Sequence, residues 1–164
     1  MISIRRIAPG EGELFRKIRL AALLESPSAF GSTYASALER SDASWREQAD
    51  RTAQGLDRAT FLALADDEPV GVAALYRDEE RLEVGEILQV WVAPAHRGTR
   101  AASDLLDAIF EWAKGNDFRT VLATITKGNE RALRFYEKYG FKRSEEASRC
   151  EPEDFVLAKL VDAE

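Results

Sequence analysis

The 164-residue chain is 45% hydrophobic and 32% charged, and its 29 acidic residues outnumber 23 basic ones for a formal charge of −6. That length predicts one domain over residues 1–164 whose core needs neither a disulfide nor a structural metal, and the acidic surplus argues against nucleic acid as a partner. A lone cysteine, Cys150, excludes an internal disulfide, a lone histidine, His96, excludes multi-histidine metal sites, and no run has the length of a membrane span or the form of a signal peptide, so a cytoplasmic location is expected.

Ile2, Ile4 and Ile7 sit in a short strand-like opening. Leu14, Phe15, Ile18, Ala21 and Ala22 then recur at helical spacing until Ser26 and Pro27 stop the pattern. Ser28 to Ala37 is small, polar and aromatic and reads as a loop. Ser44 with Glu47 has the spacing of a capping box, which predicts a second helix from Trp45 to about Gln54, with Gly55 beyond its end. Three strand-like runs follow, Thr60 to Ala65, Val70 to Tyr76 and Leu82 to Val92, and their short polar separators argue for an antiparallel meander. From Leu105 the period changes: Leu105, Leu106, Ile109, Phe110 and Ala113 form one helical stripe ending at Gly115. Thr120 to Thr126 is a strand, Asn129 to Tyr139 a helix closed by Gly140, and Phe155 to Val161 a last strand. The order is β α α β β β α β α β β. A helix between the third meander strand and Thr120 to Thr126 implies a parallel crossover, hence a mixed sheet.

Pro94 ends the β-rich run, and His96, Arg97, Gly98, Thr99, Arg100, Ala101 and Ala102 open the next helix. Small residues and arginines at such a junction make an anion cradle, because the first N–H groups of a helix lack intrahelical partners and carry partial positive charge. A solvated basic turn is the plainer alternative, although helix starts ordinarily favour acidic residues. Asn129 and Tyr136 fall on one helix face about 10 Å apart along the axis, so both can line one extended groove.

The strand Glu86 to Val92, the turn Arg97 to Ala102, the helix start at Leu105 and Leu106, and the segment Asn129 to Phe141 together resemble the GNAT family of acyl-CoA-dependent N-acetyltransferases. The resemblance spans essentially the whole chain and implies an α/β (α+β) fold, a mixed and mostly antiparallel sheet of about seven strands flanked by about four helices. It implies acetyl-CoA as cosubstrate, no metal, a small-molecule or peptide amine as acceptor, and a homodimer as a common assembly.

In the family's phosphate loop an Arg or Gln is followed by two free positions, a Gly, a free position and a Gly or Ala. Arg97 and Ala102 match the two ends, Gly98, Thr99 and Ala101 fill free positions, and Arg100 stands where glycine is expected. Its guanidinium either lies outward on a phosphate or the loop is distorted. By resemblance, Val90, Trp91 and Val92 pair through their backbone with pantetheine and polarise the thioester carbonyl. Asn129 then touches the pantetheine arm or phosphate end, and Tyr136 lies near the cofactor sulfur as general acid, its phenol of pKa about 10 donating to the departing thiolate. Packing is the ordinary role of an aromatic on such a helix.

The acceptor ammonium, of pKa about 10.4, must lose a proton before attack, and Glu86 is the candidate base, directly or through water. An exposed structural glutamate is the alternative. Phe30 and Tyr34, after the first helix, are candidate acceptor contacts, and Phe30 anchoring its loop on the core is the competing role. Trp45 and Trp112 read as packing residues, and Cys150 as an inert or exposed thiol. Two further readings compete: an N-terminal protein acetyltransferase, and a non-catalytic acyl-CoA-binding regulatory module in which Arg100 marks drift. Retention of Asn129, Tyr136 and Glu86 together counts against the second. A nucleic-acid binder using Arg97 and Arg100 is opposed by the net acidity.

Overall fold

The computed structural model describes residues 2–26, 33–145 and 154–161. The chain runs β1 (Ile2–Arg6), α1 (Gly12–Glu25), α2 (Tyr34–Leu38), α3 (Asp42–Gln54), β2 (Arg58–Ala65), β3 (Glu68–Arg77) and β4 (Val84–Val92). A 3-10 turn (Pro94–His96) leads to α4 (Ala101–Gly115), followed by β5 (Thr120–Ile125), α5 (Glu130–Tyr139), β6 (Lys142–Arg143) and β7 (Phe155–Leu160). The seven strands form one mostly antiparallel sheet in the order β1-β2-β3-β4-β5-β7-β6, with β4 and β5 parallel. That parallel pair is the crossover expected from the helical stripe after Leu105.

The described helices number five, not four, because Tyr34–Leu38 forms α2 inside the stretch expected to be a loop. The cause is local. The Ser36 N–H donates to Thr33 Oγ1 at 3.0 Å and the Thr33 N–H donates back to Ser36 Oγ at 3.3 Å, a capping box in which serine replaces the usual Glu or Gln. A second correction concerns α3, whose N-cap is Ser41 rather than Ser44: the Ser44 N–H donates to Ser41 Oγ at 3.1 Å.

Contacts group the chain into two units. In the first, Met1–Leu75 with Gln89–Ile109, α1 turns Phe15, Ile18, Ala22 and Leu23 into a core shared with Trp45 and Ala49 of α3 and with Leu62, Val72 and Trp91 of the strands. Burial of each large apolar side chain there contributes about 1.5–3 kcal/mol. The Phe15 and Trp45 rings meet edge to face at 5.6 Å, so Trp45 packs as its sequence context suggests. Gly12 lets α1 begin hard against α3, since a Cβ there would lie 2.8 Å from the Arg46 Cα. β1 pairs antiparallel with β2 from Ile2↔Ala65 to Arg6↔Phe61.

In the second unit, Tyr76–Leu88 with Phe110–Glu164, β4 and β5 pair from Val84↔Thr120 to Ile87↔Ala123. β5 continues antiparallel to β7 as far as Ile125↔Phe155. Strand alternation gathers Val84, Leu122 and Val156 into one apolar cluster and puts Glu86 and Thr124 on that same face. Phe110, Tyr136, Tyr139 and Phe141 form an aromatic cluster with centroids 5.2 to 6.2 Å apart. Trp112 packs on Phe118 at 5.3 Å. Gly140 closes α5 at φ +122°, a conformation that favours glycine. Among the described residues no helix is long and apolar enough to cross a membrane.

Candidate active site

In the first unit the site is a strand, a turn and a helix start. Gln89, within β4, takes φ +62°, a left-handed residue that marks a bulge. Its Oε1 is buried and has no hydrogen-bond partner among the described residues. Val90 is half-buried, and Trp91 and Val92 are buried. Trp91 donates its indole N–H to Glu25 Oε1 at 2.9 Å. Arg97 donates through Nε to the Val92 carbonyl at 2.9 Å and through a terminal nitrogen to the same Glu25 oxygen at 2.5 Å. With Ser26 donating as well, Glu25 is held down to about pH 2 in its titration, the Ser26 hydroxyl acting first, then Arg97 and Trp91.

The turn itself bends at Gly98, φ +82°. Thr99 Oγ1 donates to the His96 carbonyl at 2.6 Å and accepts from the Ala101 N–H at 3.2 Å. The backbone ladder of α4 opens with the Asp104 N–H donating to the Arg100 carbonyl at 2.8 Å, so the Ala102 and Ser103 N–H groups stand ahead of it. Arg100 needs no left-handed backbone, since Gly98 supplies the turn. Its exposed guanidinium lies along α4 toward Asp104 at 3.5 Å and Asp107 at 3.7 Å. Arg100 thus keeps a backbone any residue adopts, and its charge is shared with two carboxylates of its own helix.

In the second unit the side chains occupy two places. Glu86 is half-buried and its Oε2 accepts from Thr124 Oγ1 at 3.0 Å. Both line a cavity of about 280 Å³ with an apolar wall of Val84, Leu88, Leu122 and Val156 and a rim that includes Glu79 and Glu80. Asp78 shapes that rim, accepting from the Glu80 and Arg81 N–H groups at 2.8 and 3.0 Å. Tyr136 lies elsewhere, buried in the aromatic cluster between Phe135 and Phe141 at 5.3 and 5.2 Å. Burial pushes its phenol above the usual value. Asn129 is the N-cap of α5, its side-chain oxygen accepting from the Ala132 N–H at 3.2 Å. The helix thus begins one residue later than expected, and this oxygen is committed to the cap.

Glu86 and Thr124 are thus brought together, whereas Tyr136 and Asn129 do not line that cavity. Tyr34 opens α2 and packs against the first unit's core. Phe30 and Cys150 lie outside the described residues. Thr124 was readable from strand parity once β4 and β5 were taken as parallel neighbours. Glu25 carries no sequence signal, because the partners that tie it to strand and turn, Trp91 and Arg97, lie 66 and 72 positions away.

Residues 22–141 match the model of the Acetyltransferase (GNAT) family. An uncharacterised N-acetyltransferase of Mycobacterium tuberculosis is 35% identical over 85 residues, 52% of this chain and 53% of that protein. One of Methanocaldococcus jannaschii is 30% identical over 89 residues, 52% of this chain and 39% of that protein. The chain thus aligns with about half the length, or less, of these curated relatives. Among solved structures, a GNAT-family acetyltransferase from Streptococcus pneumoniae superposes with TM-score 0.79 at 18% identity, over 99% of this chain and 100% of that one. PaiA N-acetyltransferase from Thermoplasma acidophilum, solved in complex with coenzyme A, superposes with TM-score 0.78 at 19% identity, over 98% and 99%. At those identities the superpositions establish the fold, and with the family match covering most of the sequence, the chain belongs to the GNAT family of acetyltransferases.

Proposed function

We propose that residues 1–164 form a single N-acetyltransferase domain that transfers the acetyl group of acetyl-CoA to a primary amine by direct attack, without a covalent enzyme intermediate. The observation that carries this reading is the junction of β4 and α4. An exposed turn bent at Gly98 presents the Ala102 and Ser103 N–H groups at a helix N-terminus, which suits a pyrophosphate. Acetyl-CoA supplies the activated acetyl group; no metal takes part in the scheme. The residues from Arg97 to Ala102 hold the phosphates chiefly through backbone, since Arg97 and Arg100 already share their charge with Glu25, Asp104 and Asp107. The backbone of Val90, Trp91 and Val92 pairs with the pantetheine amides and polarises the acetyl carbonyl. Asn129, its oxygen spent on the cap, offers its amide N–H₂ to the same arm.

Glu86 takes the proton of the acceptor ammonium, directly or through water, in the cavity it shares with Thr124. The freed nitrogen forms its bond to the acetyl carbon as the carbon–sulfur bond breaks, the sulfur leaves as a thiolate, and the second proton shed by the nitrogen passes through solvent to that thiolate. Tyr136 is the general acid, holding its O–H on the sulfur that leaves. The carboxylates lining the cavity, Asp78, Glu79, Glu80 and Glu86, outnumber its arginines, Arg77 and Arg81, a balance that favours a cationic acceptor, small molecule or peptide, over nucleic acid. Phe30 and Tyr34 stay candidates for contacts to that acceptor. A cytoplasmic enzyme assembling as a homodimer is the setting the family resemblance suggests.

The test is thiol release from acetyl-CoA with a panel of polyamines, aminoglycosides, amino acids and peptides. At least one acceptor should liberate coenzyme A. The turning of Arg100 onto Asp104 and Asp107 favours a second reading, a non-catalytic acyl-CoA-binding regulatory module. Calorimetric binding of coenzyme A without thiol release from any acceptor would establish it.

A further inference from the structure

Trp91 is 7% exposed, and its indole N–H must find an acceptor when water is excluded. That acceptor is Glu25, the last residue of α1, at 2.9 Å. The same oxygen accepts from Arg97 at 2.5 Å, and Arg97 in turn donates to the Val92 carbonyl at 2.9 Å. One carboxylate thus fixes the ring of one residue in the strand and the guanidinium of the residue that opens the turn. Arg97 closes the circuit by clasping the strand's last carbonyl. Glu25 is itself exposed, so these bonds act less through their energy than by fixing three donors at one oxygen.

We propose that Glu25 is a positioning residue for coenzyme A, setting the pose of Val90–Val92 against the turn Gly98–Ala102 without touching the cofactor. This rests on the proposal that this strand and turn bind coenzyme A. Without Glu25, the Trp91 indole N–H loses its protein acceptor and Arg97 swings free of α1, so strand and turn lose their common anchor. The consequence falls on cofactor affinity. The chemistry at Glu86 and Tyr136 does not involve this carboxylate.

The experiment compares wild-type protein with Glu25→Ala, Glu25→Gln and a control, Glu11→Ala. The control breaks a two-bond ion pair to Arg5 in the same unit, with bonds of 2.8 Å, and touches neither strand nor turn. Calorimetry with coenzyme A, acetyl-CoA kinetics and thermal melts are read together. Glu25→Ala should raise the Kd for coenzyme A and the KM for acetyl-CoA about tenfold, with kcat at saturation within about twofold of wild type. Glu25→Gln, which retains an acceptor for Trp91 but no charge for Arg97, should fall between. Glu11→Ala should lower the melting temperature and leave Kd unmoved. If Glu25→Gln and Glu25→Ala bind coenzyme A as wild type does, or if Glu11→Ala weakens binding equally, the positioning role is overturned while cofactor binding stands. Wild-type protein that binds no coenzyme A overturns both.

Discussion

Burial fixes the proton of Tyr136. With its ring edge-on to Phe135 and Phe141, the phenol loses hydration and its pKa rises above the usual value. It is therefore protonated at every pH at which the enzyme would work. A free thiol has a pKa of about 8.5, so complete transfer from this phenol to a thiolate is uphill, and its contribution comes from a hydrogen bond that strengthens as negative charge develops on sulfur. Tyr136→Phe keeps the packing and removes only the donor. We expect kcat to fall about 10²-fold with the KM for acetyl-CoA within about twofold, and the wild-type rate to show no alkaline decline attributable to this group below about pH 10. An unchanged kcat in the variant would remove Tyr136 from the mechanism. The place of Tyr136 on α5 was legible from helix periodicity, while its role rests on the family resemblance and on this test. The capping role of Asn129 was less legible, because an asparagine at the start of a helix serves a cap and a ligand equally well on paper.

β4 is the element on which the cofactor-binding proposal depends, and its alternation was readable to Val92 while its bulge was not. A left-handed residue in a strand usually announces itself as glycine; here it is Gln89 at φ +62°, and pairing to β5 stops just before it at Ile87↔Ala123. α2 was missed for a related reason, since its capping box uses Ser36 in place of a longer acidic or amide side chain. At both places backbone geometry is set by context rather than by the residue that usually marks it. The strain at Gln89 can be measured. Gln89→Gly should be neutral or stabilising, because glycine adopts that φ freely and the buried, unpartnered Oε1 disappears with the side chain. Gln89→Val places a β-branched side chain in the left-handed region and should cost about 1–2 kcal/mol, read as a lower urea midpoint at unchanged slope. If the bulge also aims Val90–Val92, the valine variant should raise the KM for acetyl-CoA and the glycine variant should not. Equal midpoints for the two variants would show that the strand relaxes without resistance.

At the scale of the whole molecule the charge balance predicts how acid acts on it. Among the described residues three carboxylates titrate below their ordinary range, and all belong to the first unit. Glu11 is lowered chiefly by its hydrogen bonds from Arg5, and Glu25, at about 2, by Ser26, Arg97 and Trp91. Asp57 is pushed up by burial but pulled further down by Arg51 and by the Arg58 charge. A carboxyl whose folded pKa lies below its unfolded one adds stability that is fully present above the unfolded value and lost as pH falls through the folded one. For Glu25 that window runs from its ordinary value of 4.5 down to about 2. Exposed pairs of this kind are worth about 0–1 kcal/mol each, so the sum of the three is the measurable quantity. As they protonate, the 23 basic residues also lose their acidic counterweight. Melting temperature should therefore be level between about pH 5 and pH 7 and fall between about pH 4.5 and pH 2. The combined variant Glu11→Gln, Glu25→Gln, Asp57→Asn should start lower at pH 7 and descend less steeply, converging on wild type at the acid end. In a Trp112→Phe background the remaining fluorescence comes from Trp45 and Trp91, both in the first unit, so it reports the packing of the part that acid should loosen. A parallel descent of wild type and the combined variant would place the acid-labile groups elsewhere in the chain.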